Sequence, residues 1–259
     1  MRSPLEKSSH QVKVKVMDAN ELYDPEFREL IKSKRHIVII PVGSLEQHGA
    51  HLPITTDSDI VTEIASRLAK KDNFIALPTI SYGISFEHEP LFNASITTTA
   101  LRATLSNIII SLVKNGVRSI LILNGHHGNM ETLRRLHSES FQILERSGVM
   151  PKDHSMGIIF NISYWTRMKH EFDHAGFVET SLMLAISDKV KMKKAKKGLI
   201  TKGLSEKEKK RINKLSTQPG GFPKVAKNGV WGDPTGATKK DGEKFLAEIV
   251  RNLAKECQS

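Results

Sequence analysis

Four short apolar runs, HIVIIPV (36–42), FIALPTI (74–80), SILILN (119–124) and GIIFNI (157–162), constrain the fold of this chain more than any other feature. They are rich in Ile and Val and too short for ordinary helices, so they read as buried strands. Between them, residues 58–71, 99–116 and 130–148 carry apolar side chains at helical spacing. The last two segments close on Gly116 and Gly148, residues suited to the left-handed position past a helix end. Strand, helix and strand in repetition predicts an α/β fold: one three-layer αβα domain with a mainly parallel sheet. Ligands of such sheets gather at the carboxyl ends of the strands. Two regions break the rhythm. Residues 81–98 form a long loop holding Glu87-His88-Glu89, and residues 216–238, rich in Gly and Pro, lead into a last helix near 239–256. Loops of such length inside a compact domain are often functional.

Composition narrows the class. A chain of 259 residues with 39% hydrophobic and 26% charged content needs no more than one domain, taken as 1–259. The apolar runs fall far short of the roughly 18–20 residues of a membrane span, so no membrane association is expected. The N-terminal stretch MRSPLEKSSHQVKVKV lacks the apolar core of a secretory signal, and Cys257 is the single cysteine. A cytoplasmic protein without internal disulfides is expected. Of the formal charge of +11, residues 189–214 hold +10, with twelve Lys or Arg against two Glu. A run this local is usually a solvated face; the functional alternatives are an inserted arm for subunit contact or a surface for a phosphate-bearing ligand or nucleic acid. The run has no aromatic residue to stack a base, which counts against nucleic acid.

Three polar clusters follow a strand or open a helix. In SLEQHGAHLPITTD (44–57), Glu46 and His48 alternate by two and share one side of an extended backbone, and Asp57 returns as the next helix begins. In NGHHGN (124–129), two glycines around His126 and His127 let backbone approach a ligand and turn at least one imidazole into the cleft. In HAGFVETSLML, His174 precedes Glu179 at the start of a short helix. Taken singly, Asp57 is a helix cap, Asn124-Gly125 a turn and Glu179 a first-turn carboxylate. His10, His137 and His154 read as surface or core residues. Three ligand-rich clusters at strand-to-helix junctions point instead to a metal site. Imidazole with carboxylate suits zinc, manganese or iron. A Glu, His, Asp, His, Glu set exceeds the needs of one four-coordinate zinc and suits two metals sharing a carboxylate, with a water between them as nucleophile.

EQHGAHLPITTD, the Glu87-His88 pair, NGHHGN, HAGFVETSLML and GDPTGAT occur in the order seen in the creatininase (creatinine amidohydrolase) family, which the chain resembles from about residue 36 to 250. The resemblance implies an αβα fold, assembly as a homo-oligomer and hydrolysis of a carbon–nitrogen amide bond by two divalent metal ions (Zn, Mn or Fe). By position it implies Glu46, His48, Asp57, His126 and Glu179 as metal ligands, with Asp57 bridging, and His174 as the catalytic histidine. His51, Glu87, His88 and His127 are candidates for orienting ligands or contacting substrate. The chain departs from the creatinine-hydrolysing namesake at three places. Gly128 stands where a glutamate ligand follows the NGH motif, which makes Glu179 the candidate replacement. His170 stands where a tryptophan covers the substrate, and Asn93-Ala94 replaces Pro-Gly. These differences argue against creatinine.

The better-fitting branch resembles archaeal deformylases, which release formate from a formamidopyrimidine ribonucleotide on the route to riboflavin and deazaflavin cofactors. A small-molecule amide or formamide, in that case a nucleotide, is the expected partner. The alternatives are a creatinine amidohydrolase, a peptidase that trims a redox-cofactor precursor, and, outside enzymes, a basic nucleic-acid- or partner-binding protein with a degenerate site.

Overall fold

The computed structural model describes residues 17–33, 35–71, 73–150 and 159–258. His10, His154 and the first two positions of the 157–162 run lie outside them; His137 is exposed. The strands are β1 (Ile37–Val42), β2 (Phe74–Ala76), β3 (Ser119–Asn124) and β4 (Ile159–Ser163). They pair in parallel in the order β2-β1-β3-β4. The helices are α1 (Asp24–Lys32), α2 (Thr56–Ala69), α3 (Thr98–Lys114), α4 (Met130–Arg146), α5 (Phe177–Ile186), α6 (Glu206–Ser216), α7 (Phe222–Val225) and α8 (Lys239–Gln258).

Side chains alternate across the sheet, and each face finds its own helices. Ile37, Ile39, Leu121 and Leu123 pack with α2, α5 and α8 through Ile60, Ile64, Leu182, Leu246 and Ile249. Val38, Ile40, Val42, Ile120 and Ile122 pack with α3 and α4 through Leu101, Leu105, Ile109, Leu133 and Leu136. A fully buried Leu or Ile of this kind contributes roughly 1.5–3 kcal/mol. The three αβα layers expected from the periodicity are therefore present, and both Gly116 and Gly148 carry positive φ.

The 74–80 run is only half a strand. Pairing stops at Ala76 because Pro78 has no N–H to donate to a neighbour; it resumes as a single bridge between Ile80 and Val42. The 189–214 run is helical in part. Its second half is α6, started by Ser205, whose side chain accepts from the Glu208 N–H while Glu208 reaches back to the Ser205 N–H. At the carboxyl edge, the loops after β1 and β3 lie side by side, joined by the Gly125 N–H donating to the Val42 carbonyl at 2.8 Å.

Candidate metal centre

β1 ends at Val42 and hands the chain to a segment pinned on both sides. The Glu46 N–H donates to the Ile54 carbonyl and the Gln47 N–H to the Phe92 carbonyl. Asp57 stands in the first turn of α2, His126 follows β3, and Glu179 stands in the first turn of α5. Five polar side chains from four elements thus meet in the interior, none more than 3% exposed.

Their approaches fall into two groups. His126 Nδ1 is 3.2 Å from Glu46 Oε1 and 3.0 Å from Asp57 Oδ2. His48 Nε2 is 3.2 Å from Asp57 Oδ1 and 3.5 Å from Glu179 Oε2. Asp57 therefore offers one oxygen to each group. Although close, Glu46 Oε1, His48 Nε2 and Asp57 Oδ2 have no hydrogen-bond partner and are shut off from solvent. Unpaired polar atoms at this depth are costly. Donor atoms that converge without bonding one another are what a shared cation needs, and those of Glu46, His48 and Asp57 lie within 4.8 Å of one another. The residues fit divalent metal ions.

The far sides of the same groups are tied down. The other ring nitrogen of each histidine faces a backbone carbonyl and must donate. His48 Nδ1–H reaches the Glu46 carbonyl at 3.2 Å and His126 Nε2–H the Ile84 carbonyl at 2.7 Å. In the neutral ring that a cation requires, this leaves the bare nitrogen turned inward. Ser44 Oγ donates to Glu46 Oε2 at 3.1 Å, and the Ala175 N–H donates to Glu179 Oε2 at 2.6 Å.

Electrostatics point the same way. Burial pulls His48 down, but the Asp57, Glu179 and Glu46 carboxylates outweigh it and push the imidazole up to about 10. His126 is held well above its usual range, because Glu46 and Asp57 outweigh its burial. Glu179 is pushed up to about 8 by burial, with Asp57 and Asp173 adding to it against His48. The cluster holds more negative charge than it can keep without protons, a balance that divalent cations supply directly.

Beside these groups lies a chamber of about 330 Å³, lined by Asp57, His126, His174, Glu179, Phe222 and Trp231 among others. His174 is half-buried there, its ring 4.3 Å from that of His48. Burial, with His48 and His88 adding, holds it well below the usual histidine range. His88, Glu87 and His127 also line the chamber. His51 does not: it is buried behind the site with Nε2 2.9 Å from Thr180 Oγ1, bracing α5 next to Glu179. Gln47, Asp173, Phe222 and Trp231 escape a reading of the sequence. Asp173 accepts the Val178 and Glu179 N–H groups at 3.0 and 3.3 Å and so caps α5. An Asp followed by a glycine just before the helix was the available signal. The end of α6, which begins within the lysine-rich segment, also reaches the chamber, through Asn213, Ser216 and the following Thr217.

Gly128 has a steric meaning. A Cβ there would lie 2.0 Å from the Ile84 carbonyl oxygen, 2.6 Å from His126 Nε2 and 2.7 Å from Glu87 Oε1. No side chain is tolerated, and the carboxylate beside this position belongs to Glu87, whereas Glu179 stands with His48. Gly128→Ala is expected to break the His126–Ile84 bond, cost about 1–3 kcal/mol of stability and weaken metal binding about 10–100-fold. Thermal denaturation and metal titration check this; wild-type affinity in the variant would contradict it.

Comparison with known proteins agrees with this geometry. The family model described as Creatininase: Creatinine amidohydrolase matches residues 20–257. A mycofactocin precursor peptide peptidase of Mycolicibacterium smegmatis is 34% identical over 230 residues, 84% of this chain and 83% of the relative. A 2-amino-5-formylamino-6-ribosylaminopyrimidin-4(3H)-one 5'-monophosphate deformylase of Methanosphaera stadtmanae is 30% identical over 198 residues, 72% of each chain. The solved structure of a manganese creatininase superposes with a TM-score of 0.78 over 93% of this chain and 97% of that one, at 22% identity, a likeness of fold. The chain belongs to the creatininase family of metal-dependent hydrolases that act on carbon–nitrogen amide bonds.

Proposed function

We propose that the protein cleaves its amide substrate with two divalent cations, zinc, manganese or iron. The observation that carries this reading is the division of the Asp57 carboxylate between two buried donor groups. Glu46, His126 and Asp57 Oδ2 would hold one cation, and His48, Glu179 and Asp57 Oδ1 the other. Such ions, when bound, polarise a carbonyl and activate water. The remaining work falls to the chain. His174, beside both groups, takes a proton from the attacking water and passes it to the departing nitrogen, a relay that starts from a neutral imidazole. Phe172, Phe222 and Trp231 wall the chamber against bulk water. Glu87 and His127 contact the substrate, His88 acts from the chamber wall beside Glu46, and His51 acts from behind.

For the substrate, a formamide carried on a planar ring with an anionic tail fits best, as in a formamidopyrimidine ribonucleotide. Aromatic walls suit the ring, and α6, whose last turn lines the chamber, carries exposed Lys207, Lys210, Arg211 and Lys214. A peptide is the second reading. It is favoured by the 34% identity to a peptidase and by a second chamber of about 520 Å³ that shares Glu87, His127 and Thr217 with the first. Incubating the metal-loaded protein with the nucleotide, a short peptide and creatinine separates these. Formate release is expected. A cleaved peptide without formate favours the second reading, creatine alone contradicts both, and no product from any of the three counts against amide hydrolysis here.

A further inference from the structure

Gln47 lies between Glu46 and His48 in the sequence, yet its buried side chain turns to two other residues. Its Oε1 accepts the Gly49 N–H at 3.0 Å, which fixes the orientation of the amide. Nε2, with both its protons, is then 2.9 Å from Nδ1 of His88 and 3.1 Å from Nε2 of His174. The backbone carbonyl of Gln47 is 3.2 Å from the same His174 nitrogen. One residue therefore grips both imidazoles that lie next to the two donor groups without belonging to them. Because His88 Nδ1 faces an amide that can only donate, its proton sits on Nε2, whose 3.1 Å approach to Glu46 Oε1 lacks the alignment of a hydrogen bond. The two rings are 4.9 Å apart, and Phe222 packs on both at 4.5 and 4.8 Å.

The space for this amide is reserved from another part of the chain. Gly229 has φ +74°, and a Cβ there would fall 1.8 Å from Gln47 Oε1. Two residues on, Trp231 exchanges backbone hydrogen bonds with His174 at 3.0 and 2.8 Å. The segment that confines Gln47 thus also holds the backbone of the histidine that Gln47 contacts.

We infer that Gln47 is a positioning residue, which sets the ring orientation of His174 and His88 against the metal ligands and the proton placement of His88, with Gly229 kept as glycine to admit its amide. This rests on the proposed role of His174. Positioning groups of this kind are typically worth about 10–100-fold in activity. Gln47→Leu is expected to lower kcat by about that factor, leave KM within about threefold and retain the metal content of the wild type. Gly229→Ala is expected to reproduce part of the loss, and the double variant Gln47→Ala with Gly229→Ala to have a kcat no lower than Gln47→Ala alone, because with the side chain cut back to Cβ the added methyl meets neither Oε1 nor Cδ. Imidazole ¹⁵N signals, recorded with zinc bound, read the rings without any substrate: His88 should show one defined tautomer in the wild type and a mixture in Gln47→Leu, and the His174 signals should shift between the two proteins. Unchanged imidazole signals, kcat within twofold of wild type, or losses that multiply in the double variant would overturn the inference. Gln47→Leu decides even if Gly229→Ala fails to fold. Should His174→Ala keep full turnover, or no amide be cleaved, the assigned chemistry fails while the imidazole signals still decide the positioning.

Discussion

Replacing Asp57 with alanine is expected to strip both cations together and bring turnover to background, a larger effect than loss of any other single ligand. Its two oxygens lie 3.0 Å from His126 Nδ1 and 3.2 Å from His48 Nε2, so each group loses its shared member. Glu46→Ala removes a donor from the His126 group only, and Glu179→Ala from the His48 group only; each should leave one cation bound. The fold should survive all three changes. Asp57 makes no capping bond at the start of α2, and without cations the pocket crowds the Asp57, Glu46 and Glu179 carboxylates together at a cost that the alanine variant relieves. Stability separates these effects. Wild type should gain about 4 kcal/mol for each of its two cations at a concentration a thousandfold above Kd, and Asp57→Ala should gain almost none. Metal analysis showing one tightly held ion in Asp57→Ala would end its assignment as the shared ligand.

What the sequence made legible was local. Alternating short apolar runs and helical periods were enough for the layers of the sheet, and motifs written contiguously, read through their resemblance to the creatininase family, were enough to name Glu46, His48, Asp57, His126 and Glu179 as a group. What it hid depended on contacts between distant segments. Gly128 looked like a missing glutamate; only the Ile84 carbonyl, brought in by the 81–98 loop, shows why no side chain fits there. Gln47 has no titratable group and drew no notice between two residues that do, although its amide spans to His88 and His174. The lysine-rich run was visible as charge, but nothing in its composition told that its helical end would line the chamber. Pro78 was in plain view, and the expected strand over 74–80 gave it too little weight.

His174→Ala is expected to lower kcat by about 10²–10⁴-fold, the range that a positioned proton-transfer group contributes, with both cations retained. The geometry makes this a sharp test, because His174 has two possible employments. Its ring nitrogens lie near enough to His48 and Glu179, and to Glu46 and His88, to complete either as a metal ligand set. Yet both hydrogen-bonding groups of Gln47 meet its Nε2, and Asp57 completes each donor group without it. A ligand nitrogen must be bare and turned to the cation, whereas a proton carrier must face a donor in one state and an acceptor in the other. Gln47 offers Nε2 both, an amide N–H and a carbonyl; the carbonyl alone would serve a ligand bound through Nδ1, as a backbone carbonyl does for His48 and His126, and the added amide is what suits the carrier. In a carrier the alanine variant loses kcat, keeps two cations and changes KM little. In a ligand it loses one cation, and activity returns in part as that cation is added in excess. Metal content of His174→Ala, measured beside its kcat, therefore assigns the residue, and one ion per chain with activity restored by added metal would move His174 from the chemistry into the coordination shell.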